Sequence, residues 1–312
     1  MQRAVQNGNA LFEERGATSL PQIGQIDMEK VIPRREMPAI FLQTIERVTR
    51  ELPGAFAVCA ERLDTEGARL ASNEERVFPA ASVIKIALAL EVLCAIEEGS
   101  LDGSSRAMLH EADKVIGAGV LSALEPGLEL KVLDVLYLAM AISDNTAANL
   151  LIEHVGTEAV NARLASLGLV TTRLHGRIFV EGEGGEHSPS TASELVALLR
   201  AIHRAEGLPP RACERLLALL ARTQTASTVG RGLPDERFPR LGAPPPAITL
   251  AYKTGSLEGI VSEAAIVTAP GATYAIALMS EGSGDIRPNH DNVGRVLLGE
   301  ISRAVYETFR AS

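Results

Sequence analysis

Hydrophobic residues along this chain follow two different periods. In residues 38–52 they recur at helical spacing, which predicts an amphipathic helix. In residues 55–63 and 68–71 they alternate with polar residues. The segment Asp64-Thr65-Glu66-Gly67 between these runs is typical of a turn, so a β-hairpin is predicted. Residues 1–36 show neither period and mix polar residues with Gly, Asn and Pro, so we expect a loosely held extension there.

From Phe78 onward the pattern changes to one helix after another. Residues 83–97 are apolar almost all round, as expected of a helix buried in the middle of a domain. Further helical patterns cover residues 132–140, 146–155, 159–167, 191–203 and 211–220. Alternating runs return at residues 248–253, 264–268 and 274–279, and a last helical pattern covers residues 292–309.

The order of these elements predicts an α+β fold. A helix and strands come first, a helical block follows, and strands and a helix close the chain. We therefore expect both ends of the chain to contribute to one antiparallel sheet, while the middle folds as a helical lobe. Residues 37–77 and 226–312 would form the α/β lobe and residues 78–225 the helical lobe of one domain, with a site in the crevice between them.

Composition narrows the possible functions. The 312 residues carry a formal charge of −9 at pH 7 and show no basic face, which argues against nucleic acid as a partner. The six histidines show no metal-ligand spacing, so we expect neither a metal nor another cofactor. Cys59 and Cys94 lie in apolar runs and are expected to be small buried hydrophobic residues.

The sequence also bears on where the protein resides. No apolar run is long enough for a transmembrane helix, so we expect no membrane association. The first residues lack the apolar core of a secretory signal. Either the protein stays in the cytoplasm, or a leader is missing from this sequence. We expect a monomer that acts on a small molecule.

The first motif that could take part in a reaction is Ser82-Val83-Ile84-Lys85. Positions three apart share one face of a helix, so the Lys85 amine can reach the Ser82 hydroxyl. Desolvation in this apolar run would lower the pKa of the amine and make it a base for the hydroxyl. The motif has an ordinary structural explanation as well, in which Ser82 caps the helix and Lys85 extends to the surface.

Two further motifs follow. In Ser143-Asp144-Asn145, the hydroxyl can relay a proton to a leaving group and the Asn145 amide can hold a substrate amide, although the same tripeptide could simply cap a helix. In Lys253-Thr254-Gly255-Ser256, a cation and two hydroxyls can bind an anionic group at the end of a strand. Each motif alone is weak, but three in this order are far rarer than any one of them.

On these residues the chain resembles the class A β-lactamases and the related penicillin-binding D,D-peptidases, whose motifs are S-x-x-K, S-D-N and K-T-G. The resemblance covers roughly residues 37–312, and the spacing of the motifs is similar to that of the family. It implies a helical lobe beside a five-stranded antiparallel sheet flanked by terminal helices. It also implies hydrolysis of an amide, typically a β-lactam, through an acyl-enzyme.

The resemblance assigns a role to each motif residue. Ser82 would attack the carbonyl carbon while Lys85 helps to accept its proton, and Ser143 would pass a proton to the departing nitrogen. The remaining motif residues would bind substrate: Asn145, Lys253, Thr254 and Ser256. The backbone N–H groups of Ser82 and Ser256 could form the oxyanion hole.

Two features depart from the family pattern. After Thr172-Arg173-Leu174 the family carries a Glu that activates the deacylating water, and the E-x-x-L-N pattern is missing here. Glu181 is our first candidate for a substitute, with Glu183 and Glu186 behind it. An Arg is also absent at Ser262-Glu263, and Arg231 is a candidate for its carboxylate-binding role. Three functions therefore stay open: a β-lactamase, a β-lactam-binding protein with little turnover, and a D,D-peptidase or esterase on the same scaffold.

Overall fold

The computed structural model of the protein describes residues 37–179, 187–234 and 244–311. Within these residues an antiparallel sheet has the strand order β2-β1-β9-β8-β7. Its strands are β1 (Ala55–Arg62), β2 (Arg69–Ser72), β7 (Thr249–Leu257), β8 (Ile260–Ala269) and β9 (Ala272–Glu281). Both ends of the chain contribute to this one sheet, as the element order predicts. The α+β fold is confirmed.

With one exception the described helices lie close to the predicted positions, and the short helix at residues 228–231 was not predicted. They are α1 (Ala39–Glu51), α2 (Lys85–Glu97), α3 (Val132–Ala141), α4 (Asn145–Val155), α5 (Thr157–Ser166), α6 (Ala192–Arg204), α7 (Pro210–Leu220), α8 (Thr228–Arg231) and α9 (Val293–Ala311). Two short strand pairs were not predicted: β3 (Phe78–Pro79) with β6 (Pro189–Ser190), and β4 (Arg106–Met108) with β5 (Glu129–Lys131). Runs of two or three residues are too short to show an alternating pattern.

The main sheet separates two hydrophobic cores, and strand alternation decides which residue enters which core. On β8, Ala264 and Ile266 pack into the core shared with the helical lobe. Val261, Ala265 and Val267 point the other way, into the core that α1 and α9 close. The two faces of β7 and β8 therefore meet different surroundings, which matters for the site below.

Helix α2 runs through the helical lobe with almost all of its side chains buried. Its apolar sequence leaves no polar face that could turn to water, so the other helices pack around it. The predicted helix starts at residue 83, but residues 81–84 form a 3₁₀ turn and α2 itself begins at Lys85. Val83 donates its backbone N–H to Ala80, three residues back, as a 3₁₀ turn requires.

Two simpler expectations also bear on the fold. Cys59 and Cys94 are buried free thiols, as is Cys213. Among the residues that the structure describes, no helix is both long and apolar enough to span a membrane.

Candidate active site

Ser82 lies in the 3₁₀ turn before α2, half-buried in the wall of a cavity between the lobes. The cavity has a volume of about 240 Å³. Asn145 of α4 and Ser256 of β7 line it as well, together with Ile178 and Phe179 from the segment that follows α5. Residues far apart in sequence therefore meet around one serine hydroxyl.

Lys85 is only 1% exposed, so its amine lies inside the protein and not in bulk water. Its Nζ donates to the backbone oxygen of Ser143 at 2.6 Å and to Oδ1 of Asn145 at 2.7 Å. In the described residues no hydrogen bond joins Lys85 Nζ to Ser82 Oγ. Hydrogen bonds between catalytic groups are often long before substrate binds, so the role assigned to this pair stays a prediction.

The buried amines of Lys85 and Lys253 both lie close to the hydroxyl of Ser143. Its Oγ lies 2.9 Å from Nζ of Lys253 and 3.4 Å from Nζ of Lys85. The backbone of Ser143 has a φ of +62°, in the left-handed region that side chains other than Gly and Asn seldom adopt. Such strain persists where surrounding contacts impose it, and it is common at functional sites. The S-x-x-K, S-D-N and K-T-G motifs therefore belong to one cluster.

The other two residues of the second motif hold the cluster in place. Asp144 caps α4 by accepting from the Ala147 backbone, and its other oxygen accepts from the backbone of Val120 and Leu121. The capping explanation of the sequence is thus correct for Asp144. The side chain of Asn145 binds Lys85 through its oxygen and Ile116 through its nitrogen. Its amide orients the amine while also facing the cavity.

Burial changes the proton affinity of both amines. Desolvation lowers the pKa of Lys85 well below its usual value, and the nearby charge of Lys253 lowers it further, while Asp144 opposes the change. The pKa of Lys253 falls to about 7, again through desolvation, with Glu263 opposing it. A lowered amine pKa increases the unprotonated fraction of Lys85 at a given pH and so favours its action as a base.

Gly255 lets β7 approach the serine very closely. A Cβ at this position would lie 2.8 Å from the backbone oxygen of Ala80 and 2.8 Å from the backbone nitrogen of Ser82. The close neighbour at this position is the protein's own turn that carries Ser82. Gly255 therefore sets the distance between β7 and the turn that carries Ser82.

The hydroxyls of Thr254 and Ser256, called the hydroxyl patch below, lie on the face of β7 opposite to Lys253 and Gly255. Oγ1 of Thr254 is hydrogen-bonded to Oγ1 of Thr225, and Ser256 Oγ accepts from the guanidinium of Arg295 at 2.6 Å. Sequence analysis missed Arg295, because its contact with Ser256 spans 39 positions between a helix and a strand. Arg231, the sequence candidate, donates to the backbone oxygen of His290 instead.

The segment after Thr172-Arg173-Leu174 presents Ile178 to the cavity. The side chain of Asn149 clamps the backbone of Ile178 on both sides, donating to its oxygen at 2.9 Å and accepting from its nitrogen at 2.6 Å. Among the described residues of the cavity wall there is no Asp or Glu. The candidate base Glu181, like Glu183 and Glu186, lies outside the described residues.

Comparison with known proteins gives consistent results. The sequence model of the beta-lactamase enzyme family matches residues 41–309. Beta-lactamase L2 of Stenotrophomonas maltophilia is 30% identical over 177 residues, a match that covers 55% of this chain and only 57% of that relative. A beta-lactamase structure from Sphaerobacter thermophilus is 29% identical with a TM-score of 0.76, covering 87% of this chain and 97% of that one.

A second similar structure is that of PBP-A. It is 28% identical with a TM-score of 0.76, covering 88% of this chain and 97% of that chain. A variant of PBP-A, with a TM-score of 0.75, has been solved as its acyl-enzyme complex with penicillin G. The expected resemblance is thereby confirmed.

Proposed function

Since the chain belongs to the beta-lactamase enzyme family, we propose that it is a class A-like serine hydrolase that acylates Ser82 with β-lactams and releases the acyl group slowly. Family membership supports the hydrolase class. The β-lactam substrate, the residue roles and the slow release are the proposal itself.

Acylation transfers the β-lactam carbonyl to the serine. The Oγ of Ser82 attacks the carbonyl carbon, and its proton passes to the unprotonated amine of Lys85. The carbon–nitrogen bond then breaks, and Ser143 donates its hydroxyl proton to the departing nitrogen while a buried amine replenishes it. The backbone N–H groups of Ser82 and Ser256 stabilise the oxygen that becomes negative.

One observation carries this proposal: the hydroxyl of Ser143 lies between the amines of Lys85 and Lys253, and Asn145, which binds the Lys85 amine, lines the same cavity as Ser82. A structural explanation of the three motifs predicts that the lysines reach water. Instead both amines are buried with lowered pKa values, as is typical of functional sites. A proton path from nucleophile to leaving group needs such a chain of nearby groups.

Slow release is expected because the described cavity wall carries no carboxylate. Hydrolysis of the acyl-enzyme needs a base that activates water. The segment after α5 presents the aliphatic Ile178 beside His175, and His187 also lines the cavity, so the described wall offers imidazoles but no Asp or Glu for that role. This observation favours a second candidate, a β-lactam-binding protein that is acylated once and barely turns over. A third candidate, a D,D-peptidase or esterase, uses the same acyl-enzyme chemistry on a cell-wall peptide or small ester.

Time-resolved mass spectrometry with benzylpenicillin tests the proposal. We expect one adduct per chain, on Ser82, with a lifetime much longer than its formation time, and no adduct on Ser82→Ala. A short-lived adduct with sustained hydrolysis would identify an efficient β-lactamase and contradict slow release. If no β-lactam yields an adduct while a D-Ala-D-Ala peptide or a thioester does, the peptidase or esterase candidate replaces the proposal.

A further inference from the structure

Glu263 is a carboxylate enclosed in the middle of the sheet. It lies on β8, it is 0% exposed, and its strand partners are Thr254 on β7 and Leu278 on β9. The carboxylate accepts hydrogen bonds from the hydroxyl of Ser227, from the Thr228 backbone at 2.6 Å, and from the Val229 backbone. These donors are the N-cap residue and the first two residues of α8.

Strand pairing places this carboxylate beside the hydroxyl patch, one strand further into the sheet. Thr254 pairs with Glu263 and Ser256 pairs with Val261, so all four side chains share one face of the sheet. Directly opposite residues have their Cβ atoms about 5 Å apart. The Glu263 side chain is therefore a near neighbour of the hydroxyls proposed to bind a substrate carboxylate.

Glu263 does not form an ion pair within 4.0 Å in the described part of the chain. Charged groups lie on several elements packed around it. Lys253 of β7 and Arg295 of α9 act on it electrostatically, while Arg231 of α8 donates to the His290 backbone. Burial raises the pKa of Glu263 to about 7, although its hydrogen bonds and Arg295 act in the opposite direction.

Resting on the function proposed above, we propose that Glu263 determines substrate specificity: its buried negative charge repels a substrate carboxylate, and this repulsion ends when Glu263 is protonated. The positive charges near the patch are what would attract that carboxylate. The negative charge of Glu263 offsets part of the attraction that these positive charges exert on a substrate carboxylate, since charges in a buried setting act on each other strongly over a few ångströms. Acyl donors without a carboxylate are not affected.

The contacts of Glu263 do not themselves require a charge. A glutamine could accept from the Thr228 and Val229 backbone through its oxygen and donate to the Ser227 hydroxyl through its nitrogen. Glu263→Gln therefore keeps the packing and the hydrogen bonds of this segment while it removes the charge. A purely structural role predicts no effect on substrate choice.

The test measures binding without acylation. In a Ser82→Ala chain, ligand-observed NMR gives dissociation constants for benzylpenicillin and for its neutral methyl ester at about pH 6 and about pH 8. We expect Glu263→Gln to tighten penicillin binding about tenfold at the higher pH and to leave the ester unchanged. At the lower pH, where Glu263 is largely protonated, the two chains should bind penicillin similarly.

Four results would overturn the inference. Equal effects on penicillin and ester indicate a structural role, and weaker penicillin binding by Glu263→Gln indicates that Glu263 supports the charge of Lys253 instead. In the Ser82→Ala chain alone, a ratio of the penicillin and ester dissociation constants that does not change with pH also overturns it. A lack of penicillin binding by that chain does so too. If penicillin binds as expected but the unmodified chain forms no adduct, the proposed function fails and this inference stands.

Discussion

Replacing Gly255 with alanine should slow acylation because it pushes β7 away from the nucleophile. The new Cβ would lie 2.8 Å from two backbone atoms, the oxygen of Ala80 and the nitrogen of Ser82, and 2.9 Å from the Cβ of Ala81. Ordinary contacts of this kind begin at about 3.4 Å, so the strand or the turn must move by about half an ångström. None of these three atoms belongs to a flexible side chain that can rotate away.

The expected loss follows from that displacement. A shift of about 1 Å in a catalytic arrangement can lower a rate about 100-fold, so we expect Gly255→Ala to lower the acylation rate constant by about 10- to 100-fold. Overpacking of this kind also destabilises a protein by about 1–3 kcal/mol. Stopped-flow kinetics with a chromogenic cephalosporin measures the first quantity, and urea unfolding measures the second.

Gly103→Ala is the matched control. Its Cβ would lie 3.1 Å from the Ile96 side chain and 3.3 Å from that of Leu133, both of which can adjust. This variant should keep the normal acylation rate even if it loses some stability. If Gly255→Ala acylates within about threefold of the unmodified chain, the close approach of β7 does not position Ser82, and the reasoning fails.

Further predictions concern the base, the release step and the clamp. The acylation rate constant should rise as the pH passes the lowered pKa of Lys85 and level off below the usual lysine pKa, because only the unprotonated amine accepts a proton. Lys85→Met should lower this rate constant by about 10²- to 10⁴-fold in stopped-flow assays. Ile178→Glu should raise steady-state hydrolysis of nitrocefin about 100-fold, by placing a base at the cavity wall. Asn149→Leu should lower the free energy of unfolding by about 2 kcal/mol in urea, because it leaves the backbone of Ile178 without both partners.

Each of these predictions has a specific contradiction. A rate that does not change with pH would mean that Lys85 is not the base. Ile178→Gln has nearly the shape of the Glu variant without its basicity, so equal hydrolysis by both would show that a change of shape, and not a base, drives release. If Asn149→Leu is as stable as the unmodified chain, the clamp does not contribute to stability.

Sequence periodicity determined most of the secondary structure. The apolar residues 83–97 could only be accommodated by enclosing their helix, and the alternating runs of the two chain ends could bury a face only in a sheet. The three motifs pointed to Ser82 and the two lysines, because each motif is a short pattern with its own local geometry. Periodicity and short motifs are properties of neighbouring residues, so they are visible without a fold.

Packing of the two lobes decided what each of these side chains contacts. The hydrogen bond from Lys253 to Ser143 spans 110 positions, and the contact from Arg295 to Ser256 connects a helix to a strand. Local pattern also suggested Arg231, which donates to the His290 backbone, whereas the guanidinium that contacts Ser256 is that of Arg295. Likewise, Glu263 is an ordinary acid in the sequence, and only the pairing of β7 with β8 places it beside the hydroxyl patch. Such contacts depend on the register of strands and the seating of helices, which arise when distant segments exclude water together.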